Sequence, residues 1–325
     1  MAGIELTPEH PVSRLADLGA LAEAEGFESV FVSQHYNNRD GFAALSAIAG
    51  ATESVALGPA AANPYETHPV ALASRVATLD EYSGGRAVFG LGPGDRLTLS
   101  NLGVEREAPL RRVLETMQVS RRLFDGERVD HDGTFLARDA GLNYEVGAIP
   151  CYVGAQGPDM LRMAAKHADG VLYNGSHPRD VDWAAERVAE GRAERAAERG
   201  EFDFAVYASV SVAESADAAR EAARPPVAFI AAGAADPVLA RHDVDAERAA
   251  AIGEAIAAGD FSTAFERVSD AMLEAFCVAG TPDTVGERLA ALRDRADSVV
   301  LGAPLGPDLD AAIPLAAAAS ATATE

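Results

Sequence analysis

Residues 55–92 read VALGPAAANPYETHPVALASRVATLDEYSGGRAVFGLG, and this stretch decides the fold. An apolar run bounded by glycine and proline, Val55 to Gly58, leads through a polar segment into Pro69 to Tyr82. There Val70, Ala73, Val76, Ala77 and Leu79 recur at helical spacing. A second apolar run, Ala87 to Gly92, follows. Short apolar runs alternating with amphipathic helices are the mark of βα units around a parallel sheet.

Outward from this unit the same alternation continues. Strands are expected at Gly3 to Leu6, Ser29 to Val32, Pro150 to Val153, Gly170 to Tyr173, Asp203 to Val212 and Ser298 to Gly302, with helices such as Ser13 to Glu25 between them. Eight strands close most economically into an α/β TIM (β/α)8 barrel, and the 325 residues suit one such domain, 1–325. Two segments exceed an ordinary unit. Residues 125–149 carry polar Gly and Asp turns, and 225–280 read as a mostly helical insertion; long barrel loops usually shape specificity.

Composition narrows the function. The 50 Asp+Glu against 27 Lys+Arg give a formal net charge of -23, which excludes a protein that grips nucleic acid by bulk positive field. Lys166 is the single lysine. So acidic a chain would repel itself in dilute salt and suits roughly 1 M salt, where the Debye length falls to ~3 Å. That points to a halophilic source; a GC-rich genome would explain arginine over lysine but not the carboxylate excess. Cys151 and Cys277 are too few for a disulfide framework. With no leader peptide and no apolar run of ~18 residues, a cytoplasmic protein without a membrane partner is expected.

In a barrel, functional residues gather just after the C-terminal ends of the strands. Glu5 and Asp95 both stand there, where desolvation would let a carboxyl act as an acid, although each could instead cap a helix or pair with an arginine. The second strand runs into Gln34 and His35-Tyr36-Asn37-Asn38, the third into Ala60, Ala61, Ala62 and Asn63, and the sixth ends at Asn174. Gly154-Ala155-Gln156-Gly157-Pro158 opens a helix through His167; its backbone N–H groups form either a phosphate cradle or a plain tight turn.

Other chemistries lack their motifs. Gly90-Leu91-Gly92-Pro93-Gly94 is not a dinucleotide fingerprint, since its third glycine comes early, and no P-loop or G-x-S-x-G elbow occurs. Of the seven histidines only His35 and His177 lie at strand ends, and none has metal-ligand spacing, so no metal is expected. Carboxylates, amides and loops lined by Gly and Ala suit a flat aromatic cofactor and hydride chemistry.

The chain resembles the methylenetetrahydromethanopterin reductases, deazaflavin-dependent members of the bacterial-luciferase-like superfamily. The likeness is carried by Gly3-Ile4-Glu5, His35 to Asn38, Gly84-Gly85-Arg86-Ala87, Gly90 to Asp95, Gly154 to Pro158, Val227 to Gly233, Glu274-Ala275-Phe276 and Gly302 to Pro307. It implies coenzyme F420 as a dissociable hydride donor and a methylene-pterin, on a methanopterin or folate carrier, as acceptor. It implies too a homodimer or homotetramer, and a non-prolyl cis peptide at Ala60-Ala61 backing the deazaflavin ring. Within that resemblance, His35, Asn37, the Ala60 to Asn63 bulge and Asn174 hold the coenzyme, Gly154 to Pro158 takes its phosphate, and Glu5 supplies an acid or stabilises a cation, with Asp95 as its partner. Ala60-Ala61 replaces a common Gly-Val, and Gln34 replaces an Asp. Rival expectations are an F420-dependent oxidoreductase of alcohols or sugar phosphates, a flavin-dependent monooxygenase, and a non-catalytic deazaflavin carrier.

Overall fold

A computed structural model describes residues 2–322. Among the described residues there are eleven strands: β1 (Ala2–Leu6), β2 (Ser29–Val32), β3 (Ala56–Pro59), β4 (Phe89–Leu91), β5 (Val129–Asp132), β6 (Leu136–Ala140), β7 (Cys151–Ala155), β8 (Gly170–Asn174), β9 (Asp203–Val212), β10 (Val278–Gly280) and β11 (Ser298–Leu305). The main sheet runs in the order β3-β2-β1-β11-β9-β8-β7-β4, and parallel bridges Leu57↔Ala87 and Ala62↔Leu91 join its two ends. This is a TIM-type (β/α)8 barrel with insertions, and its path uses the eight strands expected from the sequence.

The chain packs as two compact units, one of Gly3–Tyr173 with Glu186–Ala205, the other mainly Asn174–Ala185 and the residues from Val206 onward. In the first, β1, β2 and β3 pair in parallel, with Glu5 beside Phe31 and Phe31 beside Gly58. Parallel strands covered on both faces read as nearly continuous apolar runs, and Ile4, Val30, Val32, Leu57, Phe89, Leu91 and Val153 are all fully buried. The helix Pro69–Ser83 ends on Gly84 in the left-handed region, φ 74.

Glycine is required where β3 and β4 meet. A Cβ on Gly90 would lie 1.8 Å from the Pro59 carbonyl oxygen, so no side chain fits and the strands can approach only through bare backbone. The glycine-rich run after residue 89 is therefore a packing device. Nearby, Arg86 donates to the carbonyls of Ser83 (2.7 Å), Val55 (2.8 Å), Ala49 (3.0 Å) and Thr52 (3.1 Å), stapling the β3 entry to two helices.

Segment 125–149 holds more than turns. It contains the antiparallel hairpin β5–β6, which Glu115 pins by accepting from the Thr134 N–H and hydroxyl, both at 2.7 Å. The second unit pairs β10 with β9 and carries the helices Ala216–Gly233, Asp236–Arg241, Ala246–Ala257, Phe261–Glu266 and Asp270–Phe276. Their core mixes the small residues Ala223 and Ala231 with Val227, Ile252, Met272 and Leu273. The helical region thus begins before 225, and a short strand, β10, lies inside the segment read as insertion. Among the described residues, no helix is long and apolar enough to cross a membrane.

Candidate active site

Glu5 ends β1 with only 1% of its surface exposed. Its carboxylate accepts from the Thr7 hydroxyl at 3.2 and 3.3 Å and from the Ser33 N–H at 3.2 Å. A buried acid in an apolar sheet is tolerable when donors surround it, so Glu5 is fixed in place rather than left bare. Beside it, two buried oxygens have no hydrogen-bond partner: Ser33 Oγ and Gln34 Oε1. Unsatisfied polar atoms in a native interior ask for a missing partner.

The peptide bond between Ala60 and Ala61 is cis, as the resemblance implied, and Ala303-Pro304 is cis as well. The bulge is held on both sides: Ala60 N–H donates to Val32 (2.9 Å), Ala62 N–H to Gly90 (2.9 Å), and Gly92 N–H to Ala62 (2.8 Å). A Cβ on Gly92 would stand 3.2 Å from the Ala61 methyl, and one on Gly154 3.6 Å. Ala61 therefore sits over the ends of both β4 and β7, which carry no side chain at those points. The result is a small apolar step flanked by backbone.

Asn63 faces inward and serves the loop itself. It is buried, its Oδ1 accepts from Tyr65 N–H (3.1 Å) and Glu66 N–H (3.0 Å), and its Nδ2 donates to Glu66 (2.9 Å). His35 and Asn37 are exposed after β2; the His35 ring lies 3.5 Å from the Thr98 hydroxyl. Gln156, Gly157 and Pro158 are exposed where the helix Pro158–His167 begins, with Gly157 as its N-cap and no side chain capping it. Asn174 is exposed at the end of β8 in the second unit.

Asp95 is where structure and expectation part. It is exposed, and its carboxylate accepts from the Thr98 N–H at 2.8 Å as the N-cap of the helix Arg96–Asn101. The desolvation that would make it an acid partner of Glu5 is absent. The capping alternative describes its observed contact.

Three residues unnoticed in the sequence shape the rim. Arg112 donates to the Pro64 carbonyl through Nε (3.0 Å) and Nη2 (2.8 Å), and its guanidinium lies 4.7 Å from the Tyr65 ring centroid. The Tyr65 hydroxyl donates to the Glu107 main-chain carbonyl at 2.6 Å; burial raises its pKa, against the pull of Arg112 and Arg106. Arg106 Nη1 donates to the Gly94 carbonyl at 2.9 Å. Nothing periodic marks these residues, which come from the loop after β3, from the segment before the helix Pro109–Phe124 and from that helix itself.

In the second unit, His177 belongs to a buried polar group. Asp180 Oδ2 lies 2.7 Å from His242 Nε2 and Asp180 Oδ1 pairs with Arg241, while the His177 and His242 rings meet edge-on at 4.9 Å. His177 Nδ1 accepts from Arg179 N–H at 3.1 Å. Burial above all, then His242 and Arg288, lowers the pKa of His177. Both cysteines are buried, and burial pushes each thiol up to about 12, so neither is a nucleophile.

The sequence profile of the luciferase-like monooxygenases matches residues 2–298. The chain is 41% identical over 319 residues to the 5,10-methylenetetrahydromethanopterin reductase of Archaeoglobus fulgidus, with 96% of each covered. It is 39% identical over 332 residues to the enzyme of that name from Methanopyrus kandleri, covering 96% of this chain and 95% of that one. A solved structure of the coenzyme F420-dependent tetrahydromethanopterin reductase from Methanopyrus kandleri superposes with a TM-score of 0.91 at 38% identity, covering 97% of this chain and 96% of that chain.

Proposed function

This chain belongs to the luciferase-like monooxygenase family, and we propose that within it the protein is an F420-dependent reductase that converts methylene-tetrahydromethanopterin, or its folate counterpart, to the methyl-pterin. The observation that carries this reading is the likeness to named reductases at 41% identity over 96% of both chains. The site fits the coenzyme. Ala60, Ala61 and Ala62 offer a flat apolar support, and the partnerless Ser33 Oγ and Gln34 Oε1 are polar atoms a bound ring could satisfy. In this reading His35 and Asn37, exposed after β2, hold the ring edge. The N–H groups of Gly154 to Pro158 can take the phosphate, because an uncapped helix N-terminus favours an anion even in a strongly acidic chain.

When bound, the reduced deazaflavin supplies a hydride. The protein's own part is positioning and charge. Glu5, anchored by Thr7 and Ser33, is an acceptor whose lone pairs face donors, so it stabilises positive charge that develops on the acceptor when a pterin ring nitrogen takes a proton. The buried setting keeps bulk water from competing for that interaction. Holding two ring systems in contact contributes more than the acid alone, since well-oriented reactants gain roughly 7–11 kcal/mol from proximity. Asp95, exposed and capping a helix, enters only as a support for the β4 turn. The carboxylate excess suits the enzyme to concentrated salt.

The test is oxidation of the reduced deazaflavin, followed spectrophotometrically at high salt, with each methylene-pterin as acceptor. Turnover with one of them is expected; turnover only with alcohols or sugar phosphates, or oxygen uptake by a tightly held flavin, would replace this reading.

A further inference from the structure

Two histidines open helices in the same way. His68 stands before the helix Pro69–Ser83, and its Nδ1 accepts from the Val70 N–H at 3.3 Å. His177 stands before the helix Pro178–Ala193, and its Nδ1 accepts from the Arg179 N–H at 3.1 Å. A ring nitrogen that accepts carries no proton, so each neutral ring holds its proton on Nε2. His68 donates that proton to the Leu136 carbonyl, 2.9 Å away. Among the described residues His177 has no such acceptor, and its Nε2–H is left over.

The surroundings of His177 hold the ring without using that donor. Its ring meets His242 edge-on, with centroids 4.9 Å apart and planes at 77°, and His242 in turn stands edge-on to Phe276 at 5.9 Å. His242 Nε2 lies 2.7 Å from Asp180 Oδ2, while Arg241, stacked 4.8 Å from the Trp183 ring centroid, takes Asp180 Oδ1. Burial pushes the Asp180 carboxyl up, but His242 and Arg241 outweigh it and hold the group below its ordinary value, an ionised acceptor with both oxygens engaged. The neighbouring cations are engaged too: Arg179 donates to the Arg241 carbonyl at 3.1 Å, and Arg288 to the Glu274 carbonyl at 2.8 Å. Burial first, then His242, Arg288 and Arg179, favour the neutral form of His177, with Asp180 opposing.

We propose that the Asp180–His242 pair is a positioning element for His177, and that His177 presents one neutral N–H donor, three residues beyond β8, to a ring carbonyl oxygen of a bound reactant. The inference rests on the reading of the chain as a deazaflavin-dependent pterin reductase, since the pyrimidine parts of a deazaflavin and of a pterin both carry such an oxygen. Reactants of a barrel enzyme are met just beyond the C-terminal ends of its strands. Capping a helix needs Nδ1 alone, and a ring braced by a buried acid–histidine pair exceeds that need.

The experiment records the imidazole nitrogens of the seven histidines by NMR and measures kcat and both KM values in wild type, His177→Asn, Asp180→Asn and His242→Gln. Melting temperatures report folding. Asparagine keeps a helix cap but does not reach as far as Nε2, so a purely capping role predicts wild-type behaviour for His177→Asn. The signals lost in that variant identify His177 in the wild type. They should show a bare Nδ1 and a protonated Nε2, neutral at pH 6.5 and below, and the Nε2–H should shift on addition of coenzyme F420 or of the methylene-pterin, whichever carries the oxygen. His177→Asn should raise the matching KM roughly tenfold, the scale of one hydrogen bond. Asp180→Asn and His242→Gln should raise that same KM with kcat near wild type. A His177 proton on Nδ1, or a folded His177→Asn with wild-type KM for both reactants, overturns the proposal and leaves the functional reading standing. Wild-type KM values in folded Asp180→Asn and His242→Gln overturn the positioning by the pair. A wild-type protein that turns over no methylene-pterin removes the functional reading and the reactant contact together, whatever the nitrogen spectra report.

Discussion

Ser33 donates its N–H to Glu5 Oε1 at 3.2 Å across 28 positions of sequence, so the acid at the end of β1 is oriented by β2. With Thr7 hydrogen-bonded to the same carboxylate, the acid has a fixed direction before any ligand arrives. Replacement of Glu5 by Gln keeps the shape and removes the charge. Turnover should fall by about a hundredfold to ten-thousandfold, the range of a positioned acid–base group. Coenzyme affinity should stay close to wild type. Unimpaired turnover would remove Glu5 from the chemistry.

Gly157 and Gly90 make opposite predictions. Nothing lies within 4 Å of a Cβ on Gly157, so Gly157→Val should fold normally and raise the coenzyme's KM by crowding the helix N-terminus. A Cβ on Gly90 would meet the Pro59 oxygen at 1.8 Å. Gly90→Ala should lose about 3 kcal/mol of stability or more. Denaturant titration of both variants checks the contrast, and an unchanged coenzyme KM in Gly157→Val would count against the phosphate cradle.

Arg86→Lys should also destabilise, by about 3 kcal/mol, because one ammonium cannot replace a fork that reaches four carbonyls. Among its contacts are Val55 at 2.8 Å and Ala49 at 3.0 Å. The readout is the unfolding midpoint, which should drop with no change in coenzyme affinity.

Acid should unfold the protein in a defined window. Burial pushes Glu115 up, but the Thr134 N–H and hydroxyl, Arg111 and His131 outweigh it and hold the carboxyl down at about 2. Burial likewise opposes, and Ser54, Glu53 and Val55 overcome, in Glu23, also at about 2. Both lie below the ordinary value of 4.5, so the unfolded chain binds more protons. Their stabilisation is present above pH 4.5 and is lost as pH falls toward about 2. Glu115→Gln should flatten the melting temperature's dependence on pH across that interval; an unchanged slope would refute the assignment.

The eight barrel strands were legible because parallel strands covered on both faces are written as plain apolar runs, such as Val30 to Val32 and Phe89 to Leu91. β10 escaped notice because Val278-Ala279-Gly280 is too short to show a period. The hairpin escaped because Val129-Asp130-His131-Asp132 has one apolar residue and relies on Glu115, far away in sequence. Glu5 and Asp95 looked alike as strand-end acids. What separated them was Thr98, three residues after Asp95, the spacing of an N-cap that a strand-end argument passes over. Tyr65, Arg106 and Arg112 meet only through tertiary folding, so no local pattern could reveal them.

The way Arg86 and Arg112 bond to main-chain oxygens has a bearing on brine. An amide oxygen carries no net charge, so mobile ions have little to screen in such a contact, whereas a surface ion pair weakens as electrolyte rises. Fastenings of this type should hold equally in dilute buffer and in near-saturated salt, leaving the outer carboxylates as the part of the molecule that senses the medium.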